Sequence, residues 1–369
     1  IVISSDAETP YTLLTYSQKV DDIPDSLKHT EEGQRQAFIR AMASTMLSDR
    51  LSDILKEAEP PFVGANAYYG EFLLSGKQKC FEIGTQVSNA GAEVAFTRLT
   101  EEVERMRRYG FEESELERAE KSYLALLEQI YNHRSQHKND YYVNASIQNF
   151  LESEPLISDE ISFELGKKIA SQVTVADVNA WVNSWNTNNV FIWFAGSSLE
   201  NLPTKEFIKN ELSALPNKEI KAYEDVALPE AIILDSQLPA KGKILKKRAI
   251  KNGAIEYKLS NGVQVYFKQT DFKDDEILLS ANSFGGAILL DSTDYVNARF
   301  AEELYAVGGI GSMNKVQLEK FLSDKRTSLN AFIGTYNEGL DGYASKKDVD
   351  YRCQLLYAHV TAVGEDCMV

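Results

Sequence analysis

Two patterns in this chain set side chains at spacings that could support chemistry. His133-Arg134-Ser135-Gln136-His137 separates two imidazoles by four residues, which on a single helix would turn both toward one metal ion. A catalytic zinc site needs a third protein ligand and usually a base, and Arg134, Ser135 and Gln136 supply no neighbouring glutamate. The surrounding NHRSQHKND is polar, so the pair reads as an exposed helix face, with adventitious metal binding as the alternative. The second pattern lies in YVNARFAEELYAVGGIG, where Arg299, Glu302 and Glu303 fall on consecutive turns of one expected helix. Arg299 and Glu303 at i,i+4 can pair, an interaction that stabilises an exposed helix by about 0.3–0.5 kcal/mol. Glu302 and Glu303 would point about 100° apart, which argues against a carboxylate acid–base dyad.

Other constellations are weaker. Gly308-Gly309-Ile310-Gly311 follows a helix and lacks G-x-x-x-x-G-K-[ST], so it reads as a turn rather than a phosphate cradle. The four histidines are His29, His133, His137 and His359, and no Ser-His-Asp or Cys-His arrangement can be assigned among them. Cys80, Cys353 and Cys367 are few, odd in number and far apart, giving neither a disulfide framework nor C-x-x-C spacing. They read as buried or incidental thiols. Trp181, Trp185 and Trp193 read as core or interface packing.

The elements that would position these residues suit an ordinary globular chain, 43% hydrophobic and 25% charged over 369 residues, long enough for about two domains. A formal charge of −16 argues against nucleic-acid binding. No apolar run approaches the ~18 residues of a membrane-spanning helix. The opening IVISSDAE shows neither a basic leader nor a long apolar segment, so no signal peptide is visible.

Along the chain, TPYTLLTYSQKV alternates as a strand. Thr30 caps a helix running to about Glu57, with Ile39, Ala43, Met46, Leu47 and Ile54 as its buried face and Pro60-Pro61 as its stop. FVGANAYYGEFLL and KQKCFEIGTQV form an expected hairpin joined at Ser75-Gly76. Helices follow at about Ala92–Tyr109, closed by Gly110, and from Phe111–Glu115 onward with core positions Leu116, Ala119, Tyr123, Leu127 and Ile130. Pro155 ends that helical region, and shorter helices are expected around Ile161–Ala170 and Val175–Trp185, the latter capped by Thr174. VFIWFAG reads as a central strand buried on both faces. These elements make one α+β domain ending near residue 212.

Residues 213–250 hold Pro216, Pro229 and Pro239 without sustained periodicity and read as a linker. Its basic end, KGKILKKRAIK, is either solvated or docked on an acidic lobe. A second domain starts at about residue 251. AIEYKLSNGVQVYFKQ is a hairpin about Asn261-Gly262, EILLSANSFGG a strand, and Asp294–Val307 and Val316–Leu322 are helices. TSLNAFIGTYNEGLDGYAS is a second hairpin, followed by a helix from Asp348 to about Val360. No further elements that would complete this domain are apparent, so it reads as incomplete.

The run from LSNGVQVYFKQTDFKDDEILLSANSFGG through GIGSMNKVQLEKFL to NEGLDGYASKKDVDYRCQLLYAHVTA resembles the opening of the C-terminal half of pitrilysin-like (insulinase-type) zinc peptidases. Residues 1–212 resemble the second domain of their N-terminal half. In that family a helix carries H-x-x-E-H, two histidines binding zinc and the glutamate acting as general base. Here the same register reads Arg299-Phe300-Ala301-Glu302-Glu303, keeping the glutamate position and losing both histidines.

The resemblance implies an α+β fold of two domains with antiparallel or mixed sheets and helices on one face. It implies a larger protein whose halves enclose a peptide, with zinc held in a catalytic domain outside this chain. This chain would form chamber wall, with the face of Arg299, Glu302 and Glu303 lining the chamber or lying exposed. No catalytic, cofactor-binding or metal-ligating residue is assigned here, and the chain alone is expected to be inactive. The implied partners are a peptide substrate and the catalytic domain, with self-association through apolar surface left bare. A periplasmic or envelope location fits the resemblance. A non-catalytic assembly or peptide-binding subunit of the same fold is the alternative, and an unrelated two-domain α+β binding protein a third.

Overall fold

A computed structural model describes residues 1–362 except 74, 187 and 235–237, and leaves out the side chains of 76, 77, 299 and 302–307. Two compact units result: Ile1–Tyr131 with His137–Val226, and Asn132–Gln136 with the chain from Ala227.

The first unit is a five-stranded mixed sheet with helices packed on one face. Its strands are β1 (Val2–Ser5), β2 (Leu13–Val20), β3 (Phe62–Phe72), β4 (Ser75–Val87) and β5 (Val190–Gly196), in the order β1-β5-β2-β4-β3. Only β1 pairs in parallel, with β5; the other pairs are antiparallel. The short β1 carries no strong alternation and was not legible in the sequence. The β3–β4 connection precedes the expected Ser75-Gly76, because Ser75 already pairs with Phe72.

After the four-residue helix α1 (Asp25–Lys28), the long helix α2 (Glu31–Ile54) crosses the sheet. The Thr30 hydroxyl accepts from Gly33 N at 3.1 Å and starts it. Ile39, Ala43, Met46, Leu47 and Ile54 are all buried, against Leu14, Tyr16, Phe81, Ile83, Ile192 and Phe194 of the strands. Burying each large apolar side chain stabilises the unit by about 1.5–3 kcal/mol. VFIWFAG differs from expectation: Ile192, Phe194 and Gly196 are buried, while alternate residues are only half-buried. One face of β5 therefore meets the helices and the other belongs to the free side of the sheet.

Further helices are α3 (Ala92–Tyr109), α4 (Glu113–Asn132), α5 (Asn139–Glu152), α6 (Asp159–Ala170), α7 (Val175–Asn183) and α8 (Lys205–Ala214). Arg50 of α2 clamps the start of α4, with Nε and Nη2 each donating at 2.7 Å to Glu115 and Nη2 donating at 2.9 Å to Gly110 O. The chain after α8 lies along this unit: Arg108 donates to the carbonyls of Leu215 and Lys218, and Arg118 pairs with Asp225.

The second unit holds two antiparallel three-stranded sheets. One orders β6 (Ile244–Ala249), β7 (Ile255–Leu259) and β8 (Gln264–Phe267), so the basic run contains a strand whose residues are all exposed. The other has β9 (Ile277–Phe284), β10 (Thr327–Ile333) and β11 (Asn337–Ala344) in the order β10-β11-β9. Helices α9 (Ser292–Val307), α10 (Lys315–Leu322) and α11 (Val349–Thr361) complete it. Ile232, Ile233, Ile310, Met313, Leu355 and Ala358 form its buried cluster.

Candidate functional site

The α9 helix runs unbroken through positions 299–303, started by Asp291, whose carboxylate accepts from Thr293 N and Asp294 N at 2.8 and 2.9 Å. Its backbone therefore has the i,i+3,i+4 spacing that an H-x-x-E-H helix uses. The side chains of Arg299, Glu302 and Glu303, and hence the expected Arg299–Glu303 pair, lie outside the described residues. The residue types decide the metal question. A guanidinium at one ligand position carries a fixed positive charge and cannot replace imidazole, so this helix does not fit the zinc of an H-x-x-E-H site.

After α9 the glycine segment is a packing turn. Ile310 bridges to Met313 inside the cluster, Gly311 N donates to Ala362 O at 2.8 Å, and Gly311 has φ 63°. A Cβ at Gly311 would stand 2.1 Å from Ile232 O, so only glycine permits this approach.

His133 and His137 are not on one helical face. Helix α4 stops at Asn132, and a 3₁₀ turn at Arg134–Gln136 follows, with Gln136 N donating to His133 O at 2.8 Å. His137 lies beyond the turn. Its Nε2 is 3.0 Å from Asp159, and its ring stacks on Tyr141 with centroids 3.8 Å apart. The polar NHRSQHKND segment breaks the helix instead of extending it. Among the described residues no group of three or more His, Cys, Asp or Glu side chains is arranged to hold a metal.

The structure assembles one polar cluster that sequence reasoning missed. On the sheet face opposite the helices, Phe191, Ser17, Glu82 and Tyr68 form a row across β5, β2, β4 and β3. Ser17 Oγ and Tyr68 Oη donate to the two oxygens of Glu82 at 2.8 and 2.5 Å. Burial, reinforced by Glu82, pushes the Tyr68 hydroxyl pKa up and the Cys80 thiol up to about 12. The thiol is therefore protonated at neutral pH and is no nucleophile. Ser17 is fully buried and has only a carboxylate beside it. This row can hold a carboxylate in place and offer aromatic surface, but it has no imidazole to activate a hydroxyl. Only strand register brings these four residues together, and nothing in the linear sequence marks it.

Glu120 of α4 and His359 of α11 are also perturbed. Burial, with Glu113 and Glu117 nearby, raises the Glu120 carboxyl to about 7. Burial and Arg352 lower the His359 imidazole to about 4. Neither forms part of a described catalytic group.

No family model matches the chain. A zinc protease PQQL-like protein of Arabidopsis thaliana is 24% identical over 332 residues, covering 89% of this chain and 31% of the relative. The periplasmic protease PqqL of Escherichia coli matches in structure over 99% of this chain and 40% of its own, with TM-score 0.56 and 15% identity. Pitrilysin matches over 98% of this chain and 38% of its own, with TM-score 0.59 and 12% identity. The chain thus spans about a third of the length of the curated relative. No described helix is long and apolar enough to cross a membrane. The resemblance read from the sequence holds: this chain is similar to the pitrilysin/insulinase zinc proteases and has their α+β domain fold.

Proposed function

We propose that this chain is the non-catalytic wall of a pitrilysin-type zinc peptidase whose metal and general base are supplied outside it. The carrying observation is that the chain aligns with these proteases over nearly its whole length, while the α9 register holds Arg299 and Glu303 in place of ligands. On this reading residues 1–212 correspond to the second domain of the first half, 213–250 to the linker, and 251–369 to the start of the second half. In the row Phe191–Ser17–Glu82–Tyr68, Ser17 is buried and holds Glu82, while Tyr68, 40% exposed, offers aromatic surface suited to an extended peptide. The periplasmic relative supports a periplasmic or envelope location.

Arg299 and Glu303 at these two α9 positions are equally compatible with a second reading, a peptide-binding or assembly subunit that cleaves nothing. Hydrolysis of a quenched fluorescent peptide separates the two. The intact natural polypeptide is expected to cleave it in a chelator-sensitive way, while the 369-residue chain alone with added zinc is expected to be silent. Cleavage by the isolated chain overturns the proposal. Silence of the intact polypeptide across a broad peptide set selects the second reading.

A further inference from the structure

We propose that α5 is a strap fastened to the first unit by a polar clasp at each end, the one at Glu152 ionic and released by raised ionic strength while the sheet and α2 stay folded. Helix α5 contains no buried residue, unlike α2, α3 and α4. Its apolar side chains Tyr142, Val143, Ile147, Phe150 and Leu151 are 45–85% exposed, so apolar packing does not hold it. A 14-residue helix is marginal in water on its own. Its attachments are therefore decisive, and they are polar.

At the first end Asp159 serves both groups: its Oδ1 accepts from Tyr141 Oη at 2.5 Å, and its Oδ2 is 3.0 Å from His137 Nε2. At the other end the Glu152 carboxylate is 2.6 Å from Lys79 Nζ, and the Glu152 carbonyl accepts from Lys28 Nζ at 2.7 Å. Both lysines belong to the body of the unit, with side chains only 7% and 9% exposed. Lys28 is anchored there by Asp22 and Asp25, each at 3.2 Å, and Glu71 lies 3.8 Å from Lys79. The clasp thus has a fixed half on the body and a half that leaves with the helix. The strap ends are set by the 3₁₀ turn at Arg134–Gln136 and by Ser153, whose left-handed φ of 56° breaks the helix before Pro155.

Salt distinguishes this arrangement from apolar docking. Screening shortens from about 10 Å at 0.1 M to about 3 Å at 1 M. The closed pair is mostly buried, Glu152 being 19% exposed, so salt acts by stabilising the charges that separate when the clasp opens, whereas apolar contacts do not loosen in sodium chloride. The test is hydrogen exchange of the full chain in about 0.05 M and about 1 M sodium chloride, for wild type, Glu152→Gln and Leu151→Ser. In wild type, amides 139–152 should exchange ~10-fold faster at high salt while those of α2 and β4 do not change. Glu152→Gln should exchange fast at both concentrations with a diminished salt response, and Leu151→Ser should behave as wild type. Salt-independent exchange in α5, or loosening by Leu151→Ser equal to that by Glu152→Gln, overturns the proposal.

Discussion

Arg352 carries the sharpest prediction about what holds the second unit together. It lies on α11 at 1% exposure, and its guanidinium reaches all three strands of the β10-β11-β9 sheet. Nη1 donates to the carbonyls of Ser328 and Tyr343, the latter at 2.8 Å, and Nη2 donates to Leu279 O at 3.3 Å. It forms no ion pair with a carboxylate among the described residues, and burial lowers its pKa against the opposing charge of Asp341. Two effects oppose each other when it is removed. Each charge-assisted bond contributes about 1.5–3 kcal/mol, while losing a buried, unpaired cation recovers desolvation free energy. The second term is moderated here because the carbonyls share the charge among them. We expect Arg352→Ala to destabilise this unit by about 2–4 kcal/mol, a large part of the 5–15 kcal/mol typical of a domain. Arg352→Lys should recover little, since a single ammonium cannot reproduce a fork spanning three strands.

The tryptophans make this measurable. Trp181, Trp185 and Trp193 are all in the first unit, so tryptophan emission reports that unit alone. Urea unfolding followed by hydrogen exchange across β9, β10 and β11 should shift to lower denaturant in Arg352→Ala, while the tryptophan transition stays in place. Gly342 offers an independent check. A Cβ there would stand 2.2 Å from Ser328 O and 2.7 Å from Arg352 Nη1, so Gly342→Ala should weaken the same transition. Unchanged protection of the three strands in Arg352→Ala, or an equal shift of the tryptophan signal, refutes the reasoning.

Three further perturbations test other terms. Glu115→Ala leaves Arg50, 1% exposed, without its bidentate partner, and should lower first-unit stability by about 3–5 kcal/mol in urea unfolding followed by tryptophan emission. Glu120 binds its proton more tightly folded than unfolded, so its contribution to stability falls as pH rises from 4.5 through about 7. Glu120→Gln should therefore raise stability at pH 8 by about 1 kcal/mol after allowance for solvent screening, with no gain below pH 4.5, as read from melts across that range. His359 has the opposite sense: its folded pKa is depressed, so stability falls as pH drops from 6.5 toward about 4. His359→Gln should flatten that acid limb of the second-unit transition, again by about 1 kcal/mol.

Local rules were legible where one chemical reason governs one element. Thr30 and Thr174 cap the helices expected of them, Gly110 closes α3, and Asn261-Gly262 turns the β7–β8 hairpin. The i,i+3,i+4 stripe of α2 named its own buried face. Reading failed where competing partners decide. Strand β1 is four residues long and is defined by pairing with β5, whose sequence lies nearly two hundred residues away. The His133–His137 spacing suggested one helical face because periodicity counts residues. What ends α4 is a polar segment that turns instead of continuing, after which His137 finds Asp159.

The same distinction explains why fold and chemistry separate in this chain. The α9 helix is specified by its cap at Asp291 and by the glycine turn packed against Ile232 and Ala362, none of which are metal ligands. Substituting Arg299 and Glu303 into the ligand register therefore leaves every local instruction for the helix intact. Arginine and glutamate are moreover better helix formers than histidine. A zinc-binding helix must satisfy two requirements at once, periodicity and ligand identity. Only the first is written into the surrounding packing. A backbone can thus have the spacing of an H-x-x-E-H helix without residues that hold a metal, and fold likeness at 12–15% identity speaks to the first requirement alone.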